Sequence, residues 1–210
     1  MKKRRGADWI RHEHARKILG DNFIGSLEVE EEHPFLRYNP KVIKGLLKTL
    51  PPQEKLLEIQ AEGSRLIVGP PKKMFVAKMI ELFPSSFCMK SHSYRKISDQ
   101  RFSREDNIDS EWLILSKMPV PSSGKKDFQQ QLKMLISEEE TIPTIAELSW
   151  SMILQNSIRK DVASFSVRTS STDSNLGCAC LASINGVLHF FSYDKKGRHP
   201  EVGIFKKMNG

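Results

Sequence analysis

Two cysteines and a histidine near the C-terminus are the residues whose types come closest to those of a metal site. If the chain folds back at Asn185-Gly186, Cys178, Cys180 and His189 share one face of a β-hairpin. Zinc usually takes about four such ligands from tighter, turn-based spacings, and cysteine is also a common small core residue. We therefore predict that both thiols pack in the core, and a metal centre is the alternative.

No familiar catalytic motif is present in the chain. The sequence has no G-x-S-x-G, no H-E-x-x-H and no G-x-x-x-x-G-K-[ST]. The segment 67–73 leads from a strand into two lysines, as a phosphate loop does, but its two prolines remove backbone donors. A polar segment after residue 167 is the remaining candidate. The alternative function is therefore an enzyme or a metal-binding protein, with its site near Arg168, Asp173, Cys178, Cys180 and His189.

Positive charge gathers at the two ends of the chain. The 210 residues include 33 Lys and Arg against 25 Asp and Glu, a formal charge of +8, and such a balance favours acidic partners. No helix-turn-helix, zinc finger or RNP pattern selects nucleic acid over protein. We predict a non-enzymatic binding module for an acidic partner, either a protein or a nucleic acid. The residues expected to contact it are Lys2, Lys3, Arg4, Arg5, Arg11, Arg16, Lys17, Lys195, Lys196 and Arg198.

Bulk properties narrow the class of protein further. The length suits one mid-sized domain or two small ones. Three cysteines cannot form a disulfide framework, which favours a reducing, cytoplasmic location. No apolar run reaches the ~18 residues of a membrane span, and no apolar segment follows the basic N-terminus as in an export signal. Cofactor and oligomeric state stay open, and a third interpretation is an assembly protein that docks through a helix carrying Trp9.

Helical periodicity dominates the first part of the chain. Apolar spacing predicts helices over 9–19, 40–50, 53–63 and 72–83, with a short strand at 65–68. Asn39 before Pro40 reads as the N-cap of the second helix. Leu56, Leu57 and Ile59 are expected to be buried.

The later sequence changes to mixed patterns. We predict a weak strand over 87–97, a loop over 98–110, and a strand at 112–115 that is covered on both faces. Helices are expected from about residue 125 and from about residue 143. Thr144 and Glu147 form a capping box for the last helix.

The last third predicts strands at 165–168, 178–184, 187–193 and near 202–205, with a loop at 169–177. A two-residue turn at Asn185-Gly186 pairs Cys178 with Tyr193 and Cys180 with Phe191. That face of the hairpin is assigned to the core. The fold class is α+β, with a mainly helical part over 1–86 and a part over 87–210 in which two helices pack on a three- or four-stranded antiparallel β-meander. One continuous domain is the alternative.

The second part of the chain carries two stretches that are similar to a known pattern. They are K-x-P-V-P-x-S at 117–123 and V-R-T-S-x-x-D-S at 167–174. Over about 112–205 the chain resembles an uncharacterised family of bacterial cytoplasmic proteins, and the first part departs from it. The resemblance implies a bacterial, cytoplasmic protein, and it transfers no activity, cofactor or catalytic residue.

Overall fold

The computed structural model of the chain describes residues 7–88, 97–108, 111–160 and 164–208, with two β-sheets and surrounding helices in an α+β fold. The helices are α1 (Ala7–Leu19), α2 (Ser26–Glu32), α3 (Pro40–Thr49), α4 (Gln53–Ala61), α5 (Val76–Leu82), α6 (Arg101–Glu105), α7 (Phe128–Leu132) and α8 (Ile145–Leu154). The strands are β1 (Phe23–Ile24), β2 (Ser64–Val68), β3 (Trp112–Ser116), β4 (Glu140–Thr141), β5 (Phe165–Thr172), β6 (Cys178–Ile184), β7 (Val187–Tyr193), β8 (Val202–Ile204) and β9 (Lys207–Met208).

The first sheet has the order β1-β2-β3-β9-β4. Its β1–β2 pair is parallel, and the other neighbours are antiparallel. All five residues of β2 and the central three of β3 are buried, as their apolar runs predict. Because this sheet takes strands from both sides of residue 86, it favours one continuous domain.

The second sheet has the order β7-β6-β5-β8 and contains the predicted hairpin. Asn185 and Gly186 have φ angles of 52° and 79°, as a type I′ turn requires. The predicted register is confirmed: Cys178 faces Tyr193 and Cys180 faces Phe191. The antiparallel meander is therefore β5, β6 and β7.

Two details of this sheet differ from the prediction. Strand β5 continues to Thr172 through a register shift, so the first four residues of the predicted loop at 169–177 are strand. The buried hydroxyl of Thr169 donates to the Ala179 carbonyl at 2.8 Å, which satisfies a polar residue within a strand. Strand β8 pairs with β5 in parallel and does not extend the meander.

The face of the hairpin opposite the two cysteines packs against the main core. Ala179, Leu181 and Leu188 belong to the large apolar cluster, together with Trp150 of α8. The large cluster therefore lies on the face opposite the cysteines, and Ile184 on the predicted face is 51% exposed. Both cysteines are nevertheless buried, as predicted, because chain segments cover this outer face of the sheet.

Helix α8 is the central helix of the fold. Every one of its ten residues is buried, and Thr144 and Glu147 form the predicted capping box. The Trp150 indole donates to the Val68 carbonyl at 2.9 Å, which connects α8 to the end of β2. No helix in the described part of the chain is both long and apolar enough to cross a membrane.

Other helix predictions need correction. Helix α5 begins at Val76 instead of residue 72, the predicted loop at 98–110 contains α6, and the helix expected from 125 is the short α7, capped by Asp127. Leu57, expected to be buried, is 46% exposed. Most of the strand expected at 87–97 lies outside the described residues; Phe87 itself forms an isolated bridge with Leu188.

Candidate functional site

The structure describes three of the seven basic residues expected to bind a partner at the N-terminus. Residues 2–5, which carry Lys2, Lys3, Arg4 and Arg5, and the side chain of Trp9 lie outside the part that the structure describes. Arg11, Arg16 and Lys17 are exposed on α1. Arg11 donates to the Leu50 carbonyl at 3.3 Å, and Arg16 Nε lies 3.7 Å from a Glu28 carboxylate oxygen. Two of these three cations therefore have partners in the protein.

A histidine and a glutamate that the sequence analysis did not single out lie beneath α1. His12 is 3% exposed, and its Nε2 lies 3.7 Å from Glu28 Oε2. Burial lowers the pKa of His12, and the Glu28 carboxylate opposes this shift. The close fit against Gly25 leaves no room for a Cβ, which would lie 2.2 Å from His12 Nε2. This pair therefore fixes the packing of α1.

The basic residues near the C-terminus sit on a turn that crosses the outer face of the second sheet. Lys195, Lys196 and Arg198 are exposed, and Arg198 Nη2 lies 3.5 Å from Asp127 Oδ2. Backbone hydrogen bonds of 3.0 Å join this turn to the segment before α7, from Lys125 N to the His199 carbonyl and from Phe128 N to the Lys195 carbonyl. The two ends of the chain thus carry their cations on different elements.

Arg168 lies buried beneath that turn. Its guanidinium donates to the carbonyls of Lys126 at 3.0 Å and Gly197 at 2.5 Å, and to Gln131 Oε1 at 2.8 Å. Gln131, also fully buried, donates in turn to the carbonyls of Ser123 and Val202. No carboxylate of the described residues forms an ion pair with Arg168. Its charge is used to hold two surface segments against the sheet.

The two cysteines lie next to Arg168 on the neighbouring strand. Cys178 donates to the Thr169 carbonyl at 3.2 Å. A hydrogen bond from the Cys180 thiol lowers the pKa of Cys178, and the positive charge of Arg168 acts in the same direction. The same thiol–thiol contact and burial raise the pKa of Cys180.

His189 shares this face of the sheet but does not complete a metal centre. Among the residues that the structure describes, no three His, Cys, Asp or Glu side chains are grouped so that they could hold an ion.

Asp173 accepts hydrogen bonds from residues of its own loop and of β7. Its carboxylate accepts hydrogen bonds from the backbone of Asn175 and Gly177 and from the Ser192 hydroxyl. These contacts form a turn that engages both oxygens of the carboxylate.

A groove that the sequence analysis did not identify lies between the segment after α2 and the segment after β2. Its volume is about 520 Å³. Apolar side chains form the floor and basic side chains form the rim. The floor consists of Phe35, Leu36, Met74 and Leu82, and the rim consists of Arg37, Lys72, Lys73 and Lys78.

Tyr38 fixes the two walls of this groove relative to each other. Its buried hydroxyl donates to the Gly69 carbonyl at 2.7 Å, and its backbone N–H donates to Glu30 at 2.8 Å. Burial raises the pKa of Tyr38, so the hydroxyl stays protonated and remains a donor. On the other wall, Met74 accepts a backbone hydrogen bond from Ile108 at 3.1 Å. These hydrogen bonds fix the two segments that line the groove.

Phe35 presents an aromatic ring to solvent at this groove. The side chain is 56% exposed, although its ring lies 5.5 Å from that of Phe83 and 5.8 Å from that of His33. His33 is in turn held by Ser157 at 2.8 Å, and burial lowers the pKa of His33. The supporting rings hold Phe35 in place without covering it, which is the arrangement of an aromatic contact residue at an interface.

The sequence did contain a signal for this groove. Residues 33–53 and residues 63–80 contain no Asp or Glu, and each stretch contains four basic residues. These are Arg37, Lys41, Lys44 and Lys48 in the first, and Arg65, Lys72, Lys73 and Lys78 in the second. Among the rim residues, Lys78 pairs with Glu81 at 2.7 Å, whereas Lys72 has no ion pair with a described carboxylate. The rim therefore carries positive charge at Lys72 that no described carboxylate pairs with.

Comparison of the chain with protein-family models, with curated proteins and with solved structures gives no match.

Proposed function

We propose that this protein is a non-enzymatic binding module whose groove takes an acidic segment of a partner protein. The observation that carries the proposal is the combination of a half-exposed aromatic ring and a basic rim around one concave surface. Such a surface fits a short peptide that has carboxylates on both sides of one large apolar side chain. The reducing, cytoplasmic location expected from the sequence belongs to this proposal and is supported by the three free cysteines.

The size of the groove favours a protein segment over a nucleic acid. A volume of about 520 Å³ accommodates one or two side chains. Nucleic-acid backbones, in contrast, are followed by extended basic surfaces with several stacking aromatics. A few cations around one apolar floor match a few carboxylates next to a single anchoring residue.

The basic residues at the chain ends have a secondary role in this proposal. Lys195 and Lys196 add to the positive field that attracts an acidic partner, and they do not line the groove. Field effects of this kind act on the association rate and fade at high salt. Contacts in the groove set the affinity.

A direct test uses a fluorescein-labelled peptide that has one central tryptophan between glutamates. We expect saturable binding by fluorescence anisotropy, weakened by salt, with a Kd in the micromolar range typical of such small contacts, about −8 kcal/mol at ~1 µM. The Phe35→Ser variant should lose at least ~10-fold in affinity. Leu176→Ser is the matched control, because Leu176 is 70% exposed and lies away from the groove.

Two results would contradict the proposal. One is equal affinity of Phe35→Ser and wild type for the peptide. The other is tighter binding of generic DNA or RNA than of the peptide, at low and at high salt, with no effect of Phe35→Ser on either. That second outcome would favour nucleic acid as the partner, bound by the basic residues at the chain ends.

A further inference from the structure

A small acidic loop precedes β4, the strand at one edge of the first sheet. Ile136 is 92% exposed, the highest value for a large apolar side chain in the described part of the chain. It is followed by the exposed residues Ser137, Glu138 and Glu139. We call residues 136–139 the acidic knob.

The acidic knob is a defined turn. Ile136 N–H donates to Glu140 Oε2 at 2.8 Å, Glu139 N–H donates to the Ser137 hydroxyl at 3.1 Å, and Glu140 N–H donates to the Ser137 carbonyl at 2.9 Å. Glu140 is further anchored by Lys206 at 2.7 Å. A rigid loop loses little conformational entropy when it binds.

The acidic knob offers a carboxylate to a partner. Glu138 and Glu139 form no ion pair with the described residues of their own chain. Glu139 lies close enough to Lys55 to help raise the pKa of that lysine, which leaves Glu138 as the carboxylate open to a partner. An exposed isoleucine next to such a carboxylate has the chemistry that the groove is proposed to bind. The groove offers Phe35 for the apolar side chain and Arg37 and Lys72 for the carboxylates.

We propose that the groove of one copy of this chain binds the acidic knob of a second copy. This inference rests on the proposed function and names the partner. Within a single chain the two surfaces stay apart: the knob leads into β4, which is one edge of the first sheet, and β3 and β9 lie between it and β2, which leads into the groove. The contact therefore forms between molecules.

The geometry of such a contact determines the kind of assembly. Knob and groove are different surfaces, so each molecule offers one of each and the contact is head-to-tail. Head-to-tail contacts close into rings or extend into open chains. Self-association should rise with protein concentration and weaken with salt, because carboxylate–cation pairs at the surface are screened.

A mixing experiment tests this arrangement in the full-length chain. The knob variant carries Ile136→Ser and Glu138→Lys, and the groove variant carries Phe35→Ser and Lys72→Glu. Sedimentation velocity should show concentration-dependent association of the wild type and a monomer for each variant alone. An equimolar mixture of the two variants should form a 1:1 complex, because one intact knob meets one intact groove and the other pair has lost the apolar contact between Ile136 and Phe35.

The outcomes separate this inference from the proposed function. A wild type that stays monomeric while the acidic tryptophan peptide still binds the groove would overturn the self-association and leave the function standing. Association that survives in either variant would place the interface elsewhere and also overturn it. If Phe35→Ser loses peptide binding but the protein still associates, the self-association proposal is overturned and the peptide-binding function stands.

All four substituted side chains are exposed, so folding should be preserved, and circular dichroism checks this. If a double variant unfolds, the single substitutions Ile136→Ser and Lys72→Glu replace it, with the same expected and contradicting results.

Discussion

Arg168, beneath the C-terminal turn, is a buried cation, whereas Arg37 and Lys72 at the groove are exposed cations. Arg168 is fully buried and makes three hydrogen bonds to carbonyl and amide oxygens. Arg37 and Lys72 are exposed around an apolar floor. The first cation supports the fold, because its two terminal amino groups donate hydrogen bonds to its own chain. The second group leaves its charge for a ligand.

This contrast changes which basic residues are expected to matter for binding. A net charge of +8 alone does not distinguish the two roles. The distinction lies in what each charged group contacts, and whether an apolar surface lies beside it. Substitutions at the two places should therefore affect different measurements.

The largest effect is expected from Arg168→Met. The substitution removes the donor from the buried amide oxygen of Gln131 and from the half-buried carbonyls of Lys126 and Gly197. We expect unfolding free energy to fall by ~3 kcal/mol in urea titrations, because each unsatisfied buried acceptor costs about 1 kcal/mol or more. Arg198→Met, at an exposed ion pair, is the control and should change it by less than ~0.5 kcal/mol. A similar stability of both variants would remove the structural role given to Arg168.

The double substitution Arg37→Glu and Lys72→Glu reverses charge at the groove. Peptide affinity should fall by more than ~10-fold, equivalent to about 1.4 kcal/mol, with the urea midpoint unchanged within error. Isothermal titration calorimetry with the acidic tryptophan peptide measures the affinity. A drop in stability as large as the drop in affinity would show that these cations also serve the fold.

A smaller effect is expected from pH. His12 and His33 both have pKa values lowered by burial from the ordinary 6.5. As pH falls below 6.5, the unfolded chain binds protons that the folded chain does not, so stability falls. Urea midpoints at about pH 5.5 and about pH 7.5 should differ less in His12→Asn than in the wild type. His14→Asn, an exposed neighbour on α1, should keep the wild-type difference; an unchanged pH dependence in His12→Asn would contradict the assignment.

The smallest effect is expected from Lys195→Glu with Lys196→Glu. These side chains lie outside the groove, so equilibrium affinity for the peptide should change by less than ~3-fold. The association rate in stopped-flow measurements should slow at low salt and recover at high salt. A loss of affinity as large as that of the groove variant would move the binding site to the C-terminal turn.

Local signals in the sequence predicted the elements that depend on neighbouring residues. The turn at Asn185-Gly186 and the capping box of Thr144 with Glu147 are confirmed because a few adjacent side chains decide them. The burial of β3 follows from its continuous apolar run. These features need no knowledge of the rest of the fold.

The face of the hairpin that meets the core could not be predicted in this way. Alternation fixes which residues share a face, but the covering elements decide which face is the main core. Here α8 covers the face with Leu181, and the turn held by Arg168 covers the face with Cys180. In the sequence, the position of Arg168 within a strand indicates that a further segment of the chain covers this face.

The groove escaped prediction because its walls come from distant segments. Phe35 and Arg37 are far from Lys72 in the sequence. The hydrogen bond from Tyr38 to Gly69 brings the two segments together. Each segment alone reads as a polar connection with exposed lysines. Only the absence of acidic residues from both stretches pointed to a shared surface.

Chemical-shift mapping decides between the groove and the chain ends. The ¹⁵N-labelled protein is titrated with the unlabelled acidic tryptophan peptide, and the backbone amide signals are followed. We predict the largest shifts for the two groove segments, around Phe35 and around Lys73, with the signals of Lys195 and Arg198 nearly unmoved. Largest shifts at Lys195 and Arg198, with the groove segments unchanged, would contradict the account.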